Sequence, residues 1–290
     1  MNDNDTLQRF LFEAAAVRGE LVRLDATWRA VLARHDYPPG VARVLGEMMA
    51  ACALLAATLK FRGAVVMQIQ GGGPLRLAVV ECTAGLALRA TAKWEGEATG
   101  NFAELVGTGR FAITLDPRDG GASYQGIVAV EGGSVGEALE HYMARSEQLP
   151  TRLILTADGE RCGGLLLQKL PGRLSQDADA WNRLTQLADT LSPRELLGLP
   201  FHDILHRLFH EEDVRVFENE PVHFACSCSR ARVADMLRLL GPGEVRAIIE
   251  EQGQVEVTCE FCNQRYVFDA VDAEQLFSAV LLASPGPTRH

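Results

Sequence analysis

Four cysteines near the C-terminus carry the strongest chemical signal in the chain: Cys226-Ser227-Cys228 and Cys259-Glu260-Phe261-Cys262. Cys228 and Cys259 stand 31 positions apart, room for two short helices and a turn. A C-x-C and a C-x-x-C in one small segment suit tetrahedral zinc, which takes four thiolates from closely spaced pairs. Zinc is favoured over iron–sulfur because two-ligand pairs on small turns match a compact S4 tetrahedron. Such a site is also a folding device, since about 10–16 kcal/mol of metal binding can hold together a segment too small to fold alone. Thiolates are oxidisable, so whatever removes them also removes that stabilisation. Zinc with four thiolates is locally anionic. Arg230, Arg232 and Arg265 lie close by in sequence, either to offset that charge or as plain solvated cations.

Other chemically suggestive residues have plainer readings. Cys52, Cys82 and Cys162 stand singly in apolar or strand-like contexts and read as buried, inert thiols. His202, His206 and His210 recur every four residues on one predicted helix face. A metal or proton sensor is conceivable there, but a solvated helix face is the simpler account. Gly71-Gly72-Gly73 lacks the lysine and hydroxyl residue of a phosphate loop and precedes strands, so it reads as a hairpin turn. No Ser–His–Asp set or carboxylate pair stands out, and the chain is not expected to be an enzyme.

The elements that must position the four cysteines lie in a chain of 290 residues, enough for one large domain with a small appendage. A formal charge of −10 opposes unaided attraction to nucleic acid or to an anionic membrane, so neither is an expected partner. The apolar stretch 41–61 contains Arg43 and Glu47, and its uncharged run 48–59 is too short to span a bilayer. It reads as a buried core helix. Seven cysteines and no apolar export signal at the N-terminus point to a reducing cytoplasm.

In order, residues 7–18 predict a helix from Leu7, Phe10, Leu11, Ala14 and Val17, ended by Gly19, with a short strand at 20–25. Helices follow at 26–35 and from Val41. Strands are expected at 65–70, 75–81, 86–92, 111–115 and 125–130, the last two joined through Asp119-Gly120-Gly121. Ser134 and Glu137 form a capping-box pattern for a helix to Arg145, before strands at 151–156 and 164–170. Short connections between consecutive strands imply a largely antiparallel sheet. The fold class is α+β, with an N-terminal domain over 1–173.

From Leu174 the composition changes. A polar, acidic Ser175–Asp179 run leads to helices carrying Trp181, Leu184 and Leu187, then Phe201, Leu205 and Phe209, with Ser192-Pro193-Arg194-Glu195 as a cap and a brief strand at 214–217. These elements are too short to persist alone and need a surface to lie on, so 174–224 reads as a marginal helical linker. Within 225–290, Ser229 caps a helix through Val233 and Leu237, Val245 and Ile249 mark another, and strands at 255–258 and 265–268 meet at the C-x-x-C turn. Asn263 suits a left-handed turn position, and Asp272 is expected to cap a last helix through Leu276, Val280 and Leu281, before a loose tail beyond 284.

The chain resembles the heat shock protein 33 (33 kDa chaperonin) family, redox-regulated bacterial holdases. The likeness runs through Phe10-Leu11-Phe12-Glu13, Val17-Arg18-Gly19-Glu20-Leu21, Thr58-Leu59-Lys60-Phe61 and Arg145-Ser146-Glu147-Gln148-Leu149-Pro150-Thr151-Arg152. The most specific match is Cys226-x-Cys228 with Cys259-x-x-Cys262; Asn263 departs from the glycine that often follows the last cysteine. The resemblance implies that Cys226, Cys228, Cys259 and Cys262 bind zinc in a reduced, inactive protein. It also implies that oxidation pairs Cys226 with Cys228 and Cys259 with Cys262, releases the metal, and loosens the linker into a surface for unfolding client proteins. A homodimer on oxidation is implied as well. A thiol–disulfide oxidoreductase and a zinc-dependent adaptor are the competing classes.

Overall fold

The first strands contradict a helical reading of residues 7–18. β1 (Thr6–Phe12) and β2 (Val17–Leu24) form an antiparallel hairpin in the computed structural model, which describes residues 3–58, 63–117, 121–171, 177 and 179–281. The helix-like spacing has two causes. Both faces of this sheet are buried, so apolar residues do not alternate cleanly with polar ones. Alternation along the strand also puts Leu7 into one core and Phe10 with Phe12 into the other, so the buried positions do not fall two apart. Gly19, expected to end a helix, instead lies opposite Phe10 on the neighbouring strand. A Cβ there would fall 2.1 Å from the ring, so the aromatic side chain lies where a larger residue would stand.

The chain continues through α1 (Ala26–Leu32) and α2 (Pro39–Ala56), then β3 (Gly63–Gly71), β4 (Leu75–Thr83) and β5 (Ala87–Trp94). α3 (Phe102–Val106), β6 (Gly109–Pro117), β7 (Tyr124–Ala129) and α4 (Val135–Tyr142) follow. A turn of π-helix, Met143–Glu147, replaces the expected helical run to Arg145 and ends at Gln148 in the left-handed region. Ser134 accepts the Glu137 backbone N–H, but the Glu137 carboxylate reaches the N–H of Gly133 rather than of Ser134, so the capping box is only half formed. β8 (Thr151–Ala157) and β9 (Cys162–Lys169) complete the set up to residue 171.

Three short helices come next: α5 (Ala180–Ala188), α6 (Pro193–Gly198) and α7 (Phe201–Phe209). Here Ser192 and Glu195 do form a reciprocal capping box. β10 (Val214–Pro221) is longer than the expected brief strand because it pairs antiparallel with β1, and β11 (His223–Phe224) pairs parallel with β5. The turn at Asp119-Gly120, residues 59–61, most of the acidic 175–179 run and the tail beyond 284 lie outside the described residues.

Two sheets result. One has the order β10-β1-β2-β9-β8 and is wholly antiparallel; the other has the order β11-β5-β4-β3-β6-β7 and is antiparallel except at β11. α2 packs against β2, β8 and β9 of one sheet and β3, β4 and β5 of the other. It is long and apolar enough to cross a membrane, yet it is buried as the central layer of this core. On β9, Leu166 faces α2, whereas Leu165 and Leu167 face a second core made by α5, α6 and α7. The helices of the 180–209 segment therefore cover the outer face of the five-stranded sheet.

They are pinned there by polar anchors. The buried Arg23 guanidinium donates to the carbonyls of Leu196 (2.7 Å) and Leu199 and lies over the Phe201 ring. The Asp3 carboxylate accepts the Phe201 N–H at 2.8 Å, at the start of α7.

The chain divides into two units, Met1–Ala225 and Cys226–His290. The second comprises α8 (Arg230–Leu240), α9 (Pro242–Gln252), β12 (Val255–Thr258), β13 (Arg265–Phe268) and α10 (Ala270–Leu281). Its apolar core is small, built around Leu237, Val245, Val255, Phe268 and Leu276. α10 is capped by Asp269, which accepts the Asp272 N–H, while Asp272 returns a bond to the Asp269 N–H. Asp272 is thus the reaching residue, three positions inside the cap expected of it.

Glu20 on β2 is 2% exposed, and its Oε2 has no hydrogen-bond partner. Burial pushes its carboxyl up to about 8, against the lowering effect of Arg18 and Arg9 and with a further upward push from Glu220. The folded chain therefore keeps a proton that the unfolded chain releases near 4.5. Stability is full below that pH, falls as pH rises, and the loss is complete above about 8, by at most about 1.4 kcal/mol per pH unit. Glu20→Gln should flatten this slope and be more stable than the parent at pH 8, as read from urea midpoints across pH 5–8.

Candidate metal centre

The C-x-C lies just ahead of α8, whose first turn is capped by Ser229 accepting the Arg232 N–H at 3.2 Å. The C-x-x-C occupies the turn between β12 and β13, paired from Val255–Phe268 to Thr258–Arg265. That turn is closed by the Cys259 N–H to the Gln264 carbonyl (2.9 Å) and the Asn263 N–H to the Cys259 carbonyl (2.8 Å). Asn263 has φ 58°, the left-handed conformation expected of it. Asparagine here meets the demand that glycine would meet with less strain.

The geometry converges. The four sulfurs lie within 4.8 Å of one another and form a group that can hold a metal ion. Cys226 and Cys259 Sγ are 3.7 Å apart, and Cys228 and Cys262 Sγ 3.3 Å. Thiolates arranged tetrahedrally about zinc at about 2.3 Å stand about 3.8 Å from one another, so the spacing fits. The donors are soft and half-buried, which also fits zinc among the divalent ions.

Backbone N–H groups of Phe261 and Cys262 bond the Cys259 sulfur, and that of Gln264 bonds the Cys262 sulfur. Each favours the thiolate. Even so, burial first and then the crowding of neighbouring sulfurs push the Cys259 and Cys262 thiols up. A cation is what would hold all four ionised together.

Sequence reasoning missed one contributor. The Tyr266 hydroxyl donates to Cys228 Sγ at 3.1 Å, and that bond raises the phenol to about 12. The available signal was a hydroxyl-bearing aromatic four positions after Cys262 on the same short hairpin. The arginines read either as charge offsets for the sulfurs or as plain solvated cations each have other partners. Arg230 pairs with Asp272 at 2.7 Å and lies 4.1 Å over the Phe268 ring, Arg265 pairs with Glu256, and Arg232 donates to the Ser227 hydroxyl.

The remaining candidates fall where the plain readings put them. Cys52, Cys82 and Cys162 are buried, and burial pushes each thiol up, well away from nucleophilic use. Gly71-Gly72-Gly73 closes the β3–β4 turn, where a Cβ on Gly73 would stand 2.5 Å from the Leu105 carbonyl. His202, His206 and His210 are exposed on α7.

Comparison with known proteins agrees with this centre. The family model described as Hsp33 protein matches residues 5–269. This chain belongs to the Hsp33 family. It is 53% identical to the 33 kDa chaperonin of Methylobacillus flagellatus over all of both chains. It is 55% identical to that of Chromobacterium violaceum, covering all of this chain and 99% of the other. The crystal structure of the 33 kDa chaperonin of Thermotoga maritima superposes with a TM-score of 0.83 over 96% of this chain and 99% of that one. At 24% identity, that likeness concerns the fold alone. Membership makes the chain a chaperone with a four-cysteine cluster rather than an enzyme.

Because Tyr266 is a hydrogen-bond donor to one sulfur, Tyr266→Phe should loosen metal retention by about tenfold without changing stoichiometry. Competition with a chromophoric chelator reads both quantities.

Proposed function

We propose that this chain is an ATP-independent holdase of the bacterial cytoplasm, held inactive by a zinc-bound C-terminal unit and activated by oxidation. The observation that carries the reading is the convergence of four sulfurs in a unit with a small apolar core, within a chain of the Hsp33 family. Cys226, Cys228, Cys259 and Cys262 would hold zinc. Bound there, zinc supplies the positive charge that keeps crowded thiolates ionised and ties the two motifs together.

Oxidation then acts on the sulfurs. Each disulfide forms as two electrons pass to an oxidant such as hydrogen peroxide, which takes up two protons and leaves as two waters. The proposed bonds are Cys226–Cys228 and Cys259–Cys262, following the family resemblance. Sulfurs of the two motifs also stand close to one another, 226 to 259 and 228 to 262, so peptide mapping of the oxidised protein has a definite alternative to exclude.

Conversion to disulfides removes the donors, and a unit with so small a core loses the interaction that completes its fold. Residues 174–224 act as a metastable linker between the domains 1–173 and 225–290. Their helices expose Leu184, Phe201, Leu205 and Phe209, together with Phe10, Phe12 and Leu165 of the sheet beneath, as an apolar surface for unfolding clients. Dimerisation of the oxidised form would enlarge that surface.

The test is light scattering of a heat-unfolding client with the protein before and after peroxide at mild heat, alongside zinc and thiol counts. Loss of four thiols and one zinc should accompany suppression of aggregation. An oxidised, zinc-free protein that leaves the client aggregating would sink the reading. The two competing classes predict otherwise: an oxidoreductase reduces insulin at low concentration, and an adaptor loses its binding on chelation, where a holdase gains it.

A second outcome follows from the anchors under α6 and α7. Arg23→Met removes three bonds to the Leu196 and Leu199 carbonyls while leaving the cysteines untouched. The reduced, zinc-replete variant should suppress aggregation in part without oxidant. Equal zinc content with no gain in activity would detach the linker from the switch.

A further inference from the structure

The Hsp33 switch leaves one chemically capable constellation unused. His202 and His206 lie one turn apart on the exposed edge of α7 and His210 stands at its C-cap, with side chains of the first and last 87% and 57% exposed. Their rings stack in a row, with centres 6.4 Å apart for 202–206 and 5.8 Å for 206–210 and tilts of only 21° and 30°. Two imidazoles sharing one cation at about 2.0–2.1 Å bring their ring centres to about 5 Å. Each pair is therefore within a small side-chain rotation of a two-nitrogen clamp. The three histidines are exposed, whereas Ile204, Leu205, Leu208 and Phe209 of the same helix are buried, so the imidazoles are free of the core.

A supporting contact completes the arrangement at one end. His202 Nδ1 lies 3.3 Å from the Asp203 carboxylate. An ionised carboxylate only accepts, so this contact favours the proton on Nδ1 and leaves the Nε2 lone pair for a cation, the orientation that carboxylates impose on ligating histidines. Beside His202 and His206, a groove of about 280 Å³ bordered by Gln8 and Val214 leaves room for the water ligands that a two-imidazole site requires.

We infer that α7 carries a second metal site, distinct in chemistry from the four-cysteine cluster: His206 with either His202 or His210, for a borderline divalent cation such as Ni2+, Cu2+ or Zn2+. Imidazole nitrogen suits these ions, whereas thiolate selects zinc. The two pairs share His206, so the site takes one cation at a time. A cation bridging consecutive turns binds the helical state and not the unravelled one, so it stabilises α7. If the proposed function holds, occupancy clamps the linker and slows activation; the binding itself does not depend on that reading.

The test is calorimetric titration of Ni2+ into the reduced, zinc-replete full chain, with zinc content measured before and after. About one equivalent should bind with no zinc released. His206→Ala should abolish binding, whereas His202→Ala and His210→Ala should each retain it, since each leaves one pair. The double change of His202 and His210 to alanine should abolish it again, which guards against a defect peculiar to position 206. Unchanged binding in His206→Ala, or no binding by the parent, overturns the inference. Neither result bears on aggregation suppression by the oxidised protein, so the two proposals fail separately.

Discussion

Four sulfurs within 4.8 Å of one another cannot all carry negative charge unless a cation stands among them. That constraint governs the C-terminal unit. Burial raises the Cys259 and Cys262 thiols, backbone N–H groups and Tyr266 pull toward the ionised form, and the nearby arginines are committed to carboxylates, a hydroxyl and an aromatic ring. The protein thus supplies donors, orientation and a few hydrogen bonds, but not the positive charge. A unit whose core rests on side chains such as Leu237, Val245 and Phe268 has little other cohesion to draw on.

The 180–209 helices face a comparable shortage by different means. α7 has nine residues, too few to be helical alone in water. Ordering each residue costs about 1–2 kcal/mol in backbone entropy, whereas each fully buried Leu, Ile or Phe returns about 1.5–3 kcal/mol. With Phe201, Ile204, Leu205, Leu208 and Phe209 buried against the sheet, the two sums are of the same order. That leaves the specific anchors, Arg23 on the Leu196 and Leu199 carbonyls and Asp3 on the Phe201 N–H, to decide whether the helices stay down.

Legibility in the sequence followed the range of the interactions. The strands at 255–258 and 265–268, the left-handed Asn263 and the Ser192–Glu195 box depend on neighbours in the chain, and each stands where local reasoning puts it. The four-cysteine cluster was legible for the same reason: ligand pairs are short-range motifs even when the pairs are distant from each other. Residues 7–18 misled because their partners are remote. β1 pairs with β10 some two hundred positions away, and burial of both faces of the sheet hides the alternation that marks a strand. Arg23 was invisible for a related reason, because an arginine in a strand says nothing about carbonyls some 170 positions later. Tyr266 was a missed local signal, obscured because its register opposite Val257 says nothing of a sulfur donor contact.

The two sheets give helices α5 to α7 a particular setting. α2 fills the space between the sheets and touches both, so the inner faces of β2, β8 and β9 stay covered whatever happens outside. On β9, Leu166 belongs to that permanent core, whereas Leu165 and Leu167 belong to the cover made by α5 to α7. Alternation along a strand thus separates the core around α2 from the core under α5 to α7. β10, which follows these helices, joins β1 by antiparallel backbone pairing. Leucines of alternate direction on one strand thus belong to two separate cores, one on each face of the sheet.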